Sequence, residues 1–249
     1  MKKLLTVFAL LAVCLGAFAQ NTGKDVLKDL EEKPLDEKTS KKAKPEKEFK
    51  VFETQVLARM GYGWHLMDGT EFQKGLHKGN TEFFMNITEF DFTPAKFLTL
   101  SFGMDVKWDW YSPTADYGFS MSGDDLVLGA APAAVDGFKS TLSTAAFTFP
   151  LGATFRLGNI AAVSAGAELV VNLPKNASIK DTYKVGTKSY TVTDSATSSI
   201  PKWGWNAYAR VTFGGLLGLY ARYYPQQPLF PTAPFGVTTV GLLLDLSSF

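Results

Sequence analysis

The sequence predicts an all-β chain, folded as an eight-stranded antiparallel up-and-down barrel that crosses a membrane. Three observations predict it. Long segments alternate apolar and polar residues with period two; short and long connections join them in turn; and every tryptophan falls on the apolar side of such a segment, near a long connection.

Composition sets the outer bounds. Of 249 residues 46% are apolar and 14% aromatic, so the chain is too apolar to remain disordered throughout. Lysine plus arginine come to 25 and aspartate plus glutamate to 24, so no basic excess points to nucleic acid as a partner. The single cysteine, Cys14, lies in the N-terminal apolar run, which excludes a disulfide framework, a zinc site and a thiol nucleophile from the remainder.

Residues 1–19 read as a cleaved secretory signal peptide. Lys2 and Lys3 form its positive end, Leu4 to Leu15 its apolar stretch and Ala17-Phe18-Ala19 its cleavage site. Val13 before Cys14 argues against lipidation, and no later stretch is long and apolar enough for a transmembrane helix. Removing Lys2 and Lys3 turns the formal charge of +1 into −1. Residues 20–50 are dense in Lys, Asp and Glu, with Pro34 and Pro45 interrupting, and are expected to form a charged flexible tether in the periplasm. Residues 51–249 form one domain, the barrel.

In the first strand Phe52, Val56, Ala58, Met60, Tyr62 and Trp64 alternate with Glu53, Gln55 and Arg59. The second, Thr81 to Phe92, changes phase: Phe83, Met85 and Ile87 hold one face, Phe90 and Phe92 the other, and a bulge reconciles them. The third is the most regular, with Leu98, Leu100, Phe102, Met104, Val106, Trp108 and Trp110 set against Thr99, Ser101, Gly103, Asp105, Lys107 and Asp109. Roughly 13 residues at about 3.3 Å each, tilted about 40°, rise near 30 Å, enough for an apolar band of about 25 Å. Strands four and five run from Phe147 to Leu157 and from Ala161 to Leu173, with Arg156 and Glu168 on the polar face. Trp203 to Phe213, Leu217 to Tyr224 and Val240 to Leu246 complete the eight.

The short connections are Thr93 to Lys96, Gly158 to Asn159 and Gly214 to Leu216. The long ones are His65 to Asn80, Tyr111 to Ser140, Pro174 to Ile200 and Pro225 to Phe235. Short turns on one rim and long loops on the other fit an outer-membrane barrel with both ends in the periplasm. An even strand count closes the sheet and leaves no edge unpaired in lipid. Trp64, Trp108, Trp110, Trp203 and Trp205 are expected at the membrane interface, where an indole keeps its ring in the apolar zone and its N–H near water. A secreted β-sandwich, the soluble alternative, gives no reason to collect all five at one rim.

If the apolar face meets lipid, the other face lines the lumen. Glu53, Asp105, Asp109, Glu168 and Asp245 then stand beside Arg59, Lys107, Arg156, Arg210 and Arg222 as a balanced polar network. An eight-stranded barrel holds only its own side chains, so these groups are expected to pair across the lumen and leave no open pore.

The run Phe149-Pro150-Leu151-Gly152-Ala153-Thr154-Phe155-Arg156-Leu157-Gly158, followed by Ala165-Gly166-Ala167-Glu168, resembles the small barrels related to the OmpA transmembrane domain, particularly the PorT-like outer membrane protein beta-barrel domain family of Bacteroidota. The resemblance covers about residues 50 to 249. It implies the bacterial outer membrane as location, outer-membrane lipid as surroundings and the barrel-assembly machinery as a transient partner, with no uniform activity. The chain ends in Phe249, as substrates of that machinery commonly do, although Phe249 is out of phase with Leu242, Leu244 and Leu246.

Little catalytic chemistry is visible. His65 and His77, both in the first long connection, have no serine at a recognisable spacing, so no catalytic residue is assigned. Asp116, Asp124 and Asp125 lack the ligand spacing of a calcium loop, and no cofactor or metal is expected. Asp194-Ser195-Ala196 resembles the short O-glycosylation sequon of Bacteroidota. The expected role is a non-enzymatic barrel in envelope structure or surface contact. A lipid-modifying enzyme and a conduit for a small apolar solute are the alternatives.

Overall fold

The computed structural model describes residues 51–67, 69, 71–72, 77–158, 160–196, 200–224 and 237–246. The signal peptide, the tether, the fourth long connection and Phe249 lie outside the described residues. The strands are β1 (Phe52–Val56), β2 (Arg59–Met67), β3 (Thr81–Ala95), β4 (Leu98–Tyr111), β5 (Tyr117–Ser122), β6 (Asp125–Ala130), β7 (Gly137–Leu157), β8 (Ala161–Asn172), β9 (Ser178–Val185), β10 (Lys188–Ser195), β11 (Trp203–Phe213), β12 (Leu217–Tyr224) and β13 (Val237–Asp245).

Eight of them form a closed antiparallel barrel in the order β2, β3, β4, β7, β8, β11, β12, β13. The last pairs back onto the first, from Val237 opposite Met67 to Asp245 opposite Arg59. β1 prolongs β2 beyond a break at Leu57, whose φ is 53°, and pairs with the far end of β3. The ladder between β3 and β4 shifts between Asn86 and Thr88, where the bulge was expected. One extra residue reverses parity, so Phe90 and Phe92 join Phe83 and Met85 on the outer side. Gly158 and Gly214, at φ 60° and 58°, take the left-handed conformation at two of the short turns.

The amphipathicity is inverted relative to a soluble protein. On β4, Thr99, Asp105, Lys107 and Asp109 are buried while Leu100 and Phe102 are exposed. Leu151 on β7 and Leu242 on β13 are 63% and 57% exposed, whereas Glu82, Glu168 and Asn206 are at 0%. Most large apolar side chains of the barrel strands are thus turned outward and the acidic and basic ones inward, with Phe84, Tyr220 and Leu243 as buried exceptions. Facing glycines make room there for rings: Tyr208 lies over Gly152 and Gly166, where a Cβ at either would collide with its hydroxyl.

Two of the long connections are more ordered than expected. β5 and β6 form a hairpin within Tyr111 to Ser140, and β9 and β10 form another within Pro174 to Ile200. β7 starts at Gly137, well before Phe147, and its extension pairs with β9 from Gly137 opposite Lys184 to Ser143 opposite Ser178. The β7 extension, β9 and β10 are rich in Thr, Ser and Lys on their outward side, so the apolar alternation that marks a lipid-facing strand is absent there, while threonine still favours an extended backbone. An apolar cluster joins the two regions. Met67, Tyr111, Tyr224 and Val237 from the barrel strands pack with Phe119, Leu126, Leu142 and Ile179.

Candidate functional site: the lumen network

The centre of the lumen is a guanidinium between two carboxylates. Arg222, projecting from β12, donates from Nη1 to Glu82 of β3 and from Nη2 to Glu168 of β8 at 3.1 Å, and its Nε lies 2.9 Å from the second Glu168 oxygen. The same guanidinium stacks 4.1 Å from the centroid of Phe84. Glu82 also accepts from the hydroxyls of Tyr220 at 3.0 Å and Tyr224 at 2.7 Å. β3, β8 and β12 are therefore tied across the barrel through one buried cation.

Neighbouring groups extend the network toward both rims. On the loop side Lys107 donates to Asp109 at 2.6 Å and to the Tyr224 hydroxyl at 3.1 Å. His65 stacks on Tyr111, with ring centroids 4.9 Å apart, shares a 2.8 Å hydrogen bond with Thr239 and turns Nε2 to within 3.4 Å of Asp109. In the middle Arg210 donates to Glu168 at 3.2 Å and lies 3.7 Å from Asp105, which accepts from Asn86 at 2.8 Å. On the turn side Arg59 pairs with Glu89, and Asp91 accepts from Gln55 at 3.0 Å and Ser101 at 2.5 Å.

Asp105, Lys107, Asp109, Glu168, Arg210 and Arg222 come together in this network, and Arg59 and Asp245 sit opposite each other in register at its turn-side end. Glu53 and Arg156 do not belong to it. Both have the inward parity of their strands, but they lie where the strands run past the packed lumen toward the open rim, and both are exposed. The expected balance of acids and bases is also local. Near the centre Glu82, Asp105, Asp109 and Glu168 face Lys107, Arg210 and Arg222 with His65 beside them, whereas on the turn side Glu89, Asp91 and Asp245 surround Arg59.

Sequence reasoning missed Glu82, Glu89, Asp91 and His65. The signal was the alternation of Glu82, Phe84 and Asn86 with Phe83, Met85 and Ile87, masked because the inward Phe84 adjoins the outward Phe83. His65 was placed in a connection, but β2 continues to Met67 and His65 is fully buried. The five tryptophans all face outward at the loop-side end, where Trp64 and Trp110 both lie opposite Thr81 and Trp203 lies opposite Val171. His77 sits at the loop-side surface, where Gly79 donates its backbone N–H to the ring at 3.2 Å.

His65, Glu82 and Asp109 bring potential metal donors within 4.8 Å of one another. Both oxygens of Glu82 are already engaged by Arg222, Tyr220 and Tyr224, and Lys107 stands on Asp109. The donor set is that of an ion-pair network rather than a cation cage.

No family model and no curated protein matches this chain. Among solved structures it is similar to Ail, the attachment invasion locus protein of Yersinia pestis, in complex with the heparin analogue sucrose octasulfate. The TM-score is 0.35 at 11% identity, covering 78% of this chain and 96% of that one. Another structure of Ail gives 0.31 at 8% identity over the same shares. A triple mutant of the Rhodopseudomonas blastica porin gives 0.20 at 9% identity, covering 78% and 99%. The strand ladders themselves carry the fold assignment: an all-β, eight-stranded, antiparallel closed barrel.

Proposed function

We propose that the chain is a non-enzymatic integral barrel of the bacterial outer membrane, with a lumen closed by its own side chains and a role in envelope structure or surface contact through its loop-side hairpins. The observation that carries this reading is the inverted amphipathicity: in water, Phe102, Leu151, Leu217 and Leu242 would expose an apolar belt around the whole barrel. In a bilayer the same belt meets acyl chains, and closure satisfies the backbone. The likeness of residues 149–158 and 165–168 to the PorT-like family supports the same location. Arg222 spanning Glu82 and Glu168 supports a filled lumen, as does the apolar cluster over its loop-side mouth. His65, held by Thr239 in the lumen, is badly placed to attack a lipid on the outer wall.

Heat-modifiable gel migration of the detergent-solubilised protein tests the barrel in the membrane fraction. The unheated band is expected to run as a compact species from outer-membrane preparations, and its recovery from the soluble fraction would overturn the proposal. Planar-bilayer conductance at the level of empty membranes is expected for the filled lumen. An altered acyl pattern of lipid A in a deletion strain would instead favour the lipid-modifying alternative.

A further inference from the structure

Above the tryptophan level the outer wall continues as a sheet of quite different chemistry. On the extension of β7 and on β9 and β10, the residues with the outward parity of Phe147 are Lys139, Lys180 and Lys184, together with Gly137 and otherwise only serine and threonine. The ladder sets Lys139 opposite Thr182, which lies between Lys180 and Lys184 on β9, so the three lysines form a triangle. All three are exposed. The acids of these strands, Asp181 and Asp194, have the opposite parity, and Asp181 is held there by Ser140 at 2.6 Å. His77 lies close enough to feel this charge: burial and the Lys139 ammonium lower its pKa, which favours the neutral ring.

Directly below, the lipid-facing wall carries an open apolar depression of about 810 Å³, lined by Phe102, Phe147, Phe149, Leu169, Trp203 and Trp205 among others. β7 runs through both features. Trp110 lies opposite Ser143, and Lys180, Lys139 and Lys184 lie about two, four and six residues further out. At about 3.3 Å per residue and a tilt of about 40°, their Cα atoms stand roughly 5, 10 and 15 Å above the tryptophan level, so Lys180 and Lys139 are the two nearest the membrane surface and Lys184 stands above them. The polar headgroup layer outside the hydrocarbon core is about 5–8 Å deep on each side. A lysine stem can lie along the wall with its ammonium among phosphates.

We propose that this face and the depression beneath it form one site for a phosphorylated glycolipid of the surrounding outer leaflet, with the lysine triangle holding phosphate and the depression taking an acyl chain. This rests on the membrane reading given above. A face bearing only positive charge, with the acids of the same strands on the opposite side, attracts anions. The apolar depression beside it selects an anion that carries hydrocarbon.

Native mass spectrometry of the full barrel released from detergent, with bisphosphorylated lipid A and its dephosphorylated form as probes, tests the site. Wild type is expected to retain the phosphorylated lipid at least tenfold better than the dephosphorylated one. Lys139→Glu, Lys180→Glu and Lys184→Glu together should abolish that preference, and the triple glutamine variant should reduce it. Ala167→Phe, which fills the depression, should weaken retention of both lipids. Equal retention of the two lipids by wild type, or an undiminished preference in the triple charge variant, overturns the proposal. So does full displacement by millimolar inorganic phosphate, which would mark a site for free anion. Heat-modifiable migration in the same detergent keeps the two readings apart: its loss in wild type is a failure of the barrel reading, whereas its retention with no lipid preference is a failure of this site.

Discussion

Lys107 and Lys139 stand on neighbouring strands of one sheet in opposite circumstances. Lys107 faces the lumen, is 2% exposed, and has Asp109 at 2.6 Å and the Tyr224 hydroxyl at 3.1 Å. Lys139 faces outward and is exposed, and the titrating group that feels it is another base, His77. The same residue type is thus part of a matched set in one place and of a single-signed set in the other. A matched set in a buried lumen finds its opposite charges within the chain and fixes the strands across from one another. A single-signed set in water costs the fold little and contributes nothing to it until an anion arrives.

The largest effect that separates the two is expected at Arg222. Arg222→Met leaves Glu82 and Glu168 facing each other without their shared cation, and a buried carboxylate stripped of its partner costs about 3–5 kcal/mol. Urea unfolding of the folded band in vesicles measures it. Adding Glu82→Gln and Glu168→Gln should restore most of the loss; if it does not, the guanidinium acts mainly through its packing on Phe84. A midpoint unchanged by Arg222→Met would break the comparison, because the lumen charges would then carry no more of the fold than the outer ones.

Arg59→Met, at the turn-side end of the lumen, is expected to cost less, about 1–3 kcal/mol. Its partner Glu89 and its neighbours Asp91 and Asp245 lie close to the open rim, where water can reach them after the cation is gone. The same unfolding assay should rank Arg59→Met between Arg222→Met and any single lysine change on the outer face. Lys180→Glu or Lys184→Glu should stay within about 0.5 kcal/mol of wild type, because an exposed side chain without a buried partner leaves nothing unsatisfied.

The contrast also marks what was legible in the sequence. β4 alternates without a break because one face meets a uniform apolar surface and the other a uniform polar one, so Asp105, Lys107 and Asp109 could be placed in the lumen from parity alone. The slip at Asn86 to Thr88 was visible as a phase change between Ile87 and Phe90. Parity says nothing about depth, however, and that is why Glu53 and Arg156 were assigned to the network although they sit at the wet rim. Pairing across the lumen joins residues far apart in the chain, Glu82 with Arg222 for instance, and no local pattern records it. The extension of β7 escaped notice for a further reason: beyond the barrel's apolar outer belt, neither side of a strand has to be greasy along its whole length, so Lys139, Thr141 and Ser143 carry no apolar beat.

The smallest effect is the most direct probe of the single-signed face. Burial and the charge of Lys139 both lower the pKa of His77 below its ordinary value of 6.5, so the folded state binds fewer protons there than the unfolded chain just below that value. Stability from this group is therefore fully kept above pH 6.5 and falls as the pH drops from 6.5 through the lowered folded pKa. Lys139→Glu replaces the repulsion by attraction, so the His77 midpoint should rise while its burial is unchanged. Following the imidazole ring resonances of the micelle-bound barrel through a pH titration measures this, and an unmoved midpoint would mean that water already screens Lys139 from its neighbour. In that case the lysines act as separate solvated charges, and the field that distinguishes this face from the lumen is weaker than its composition implies.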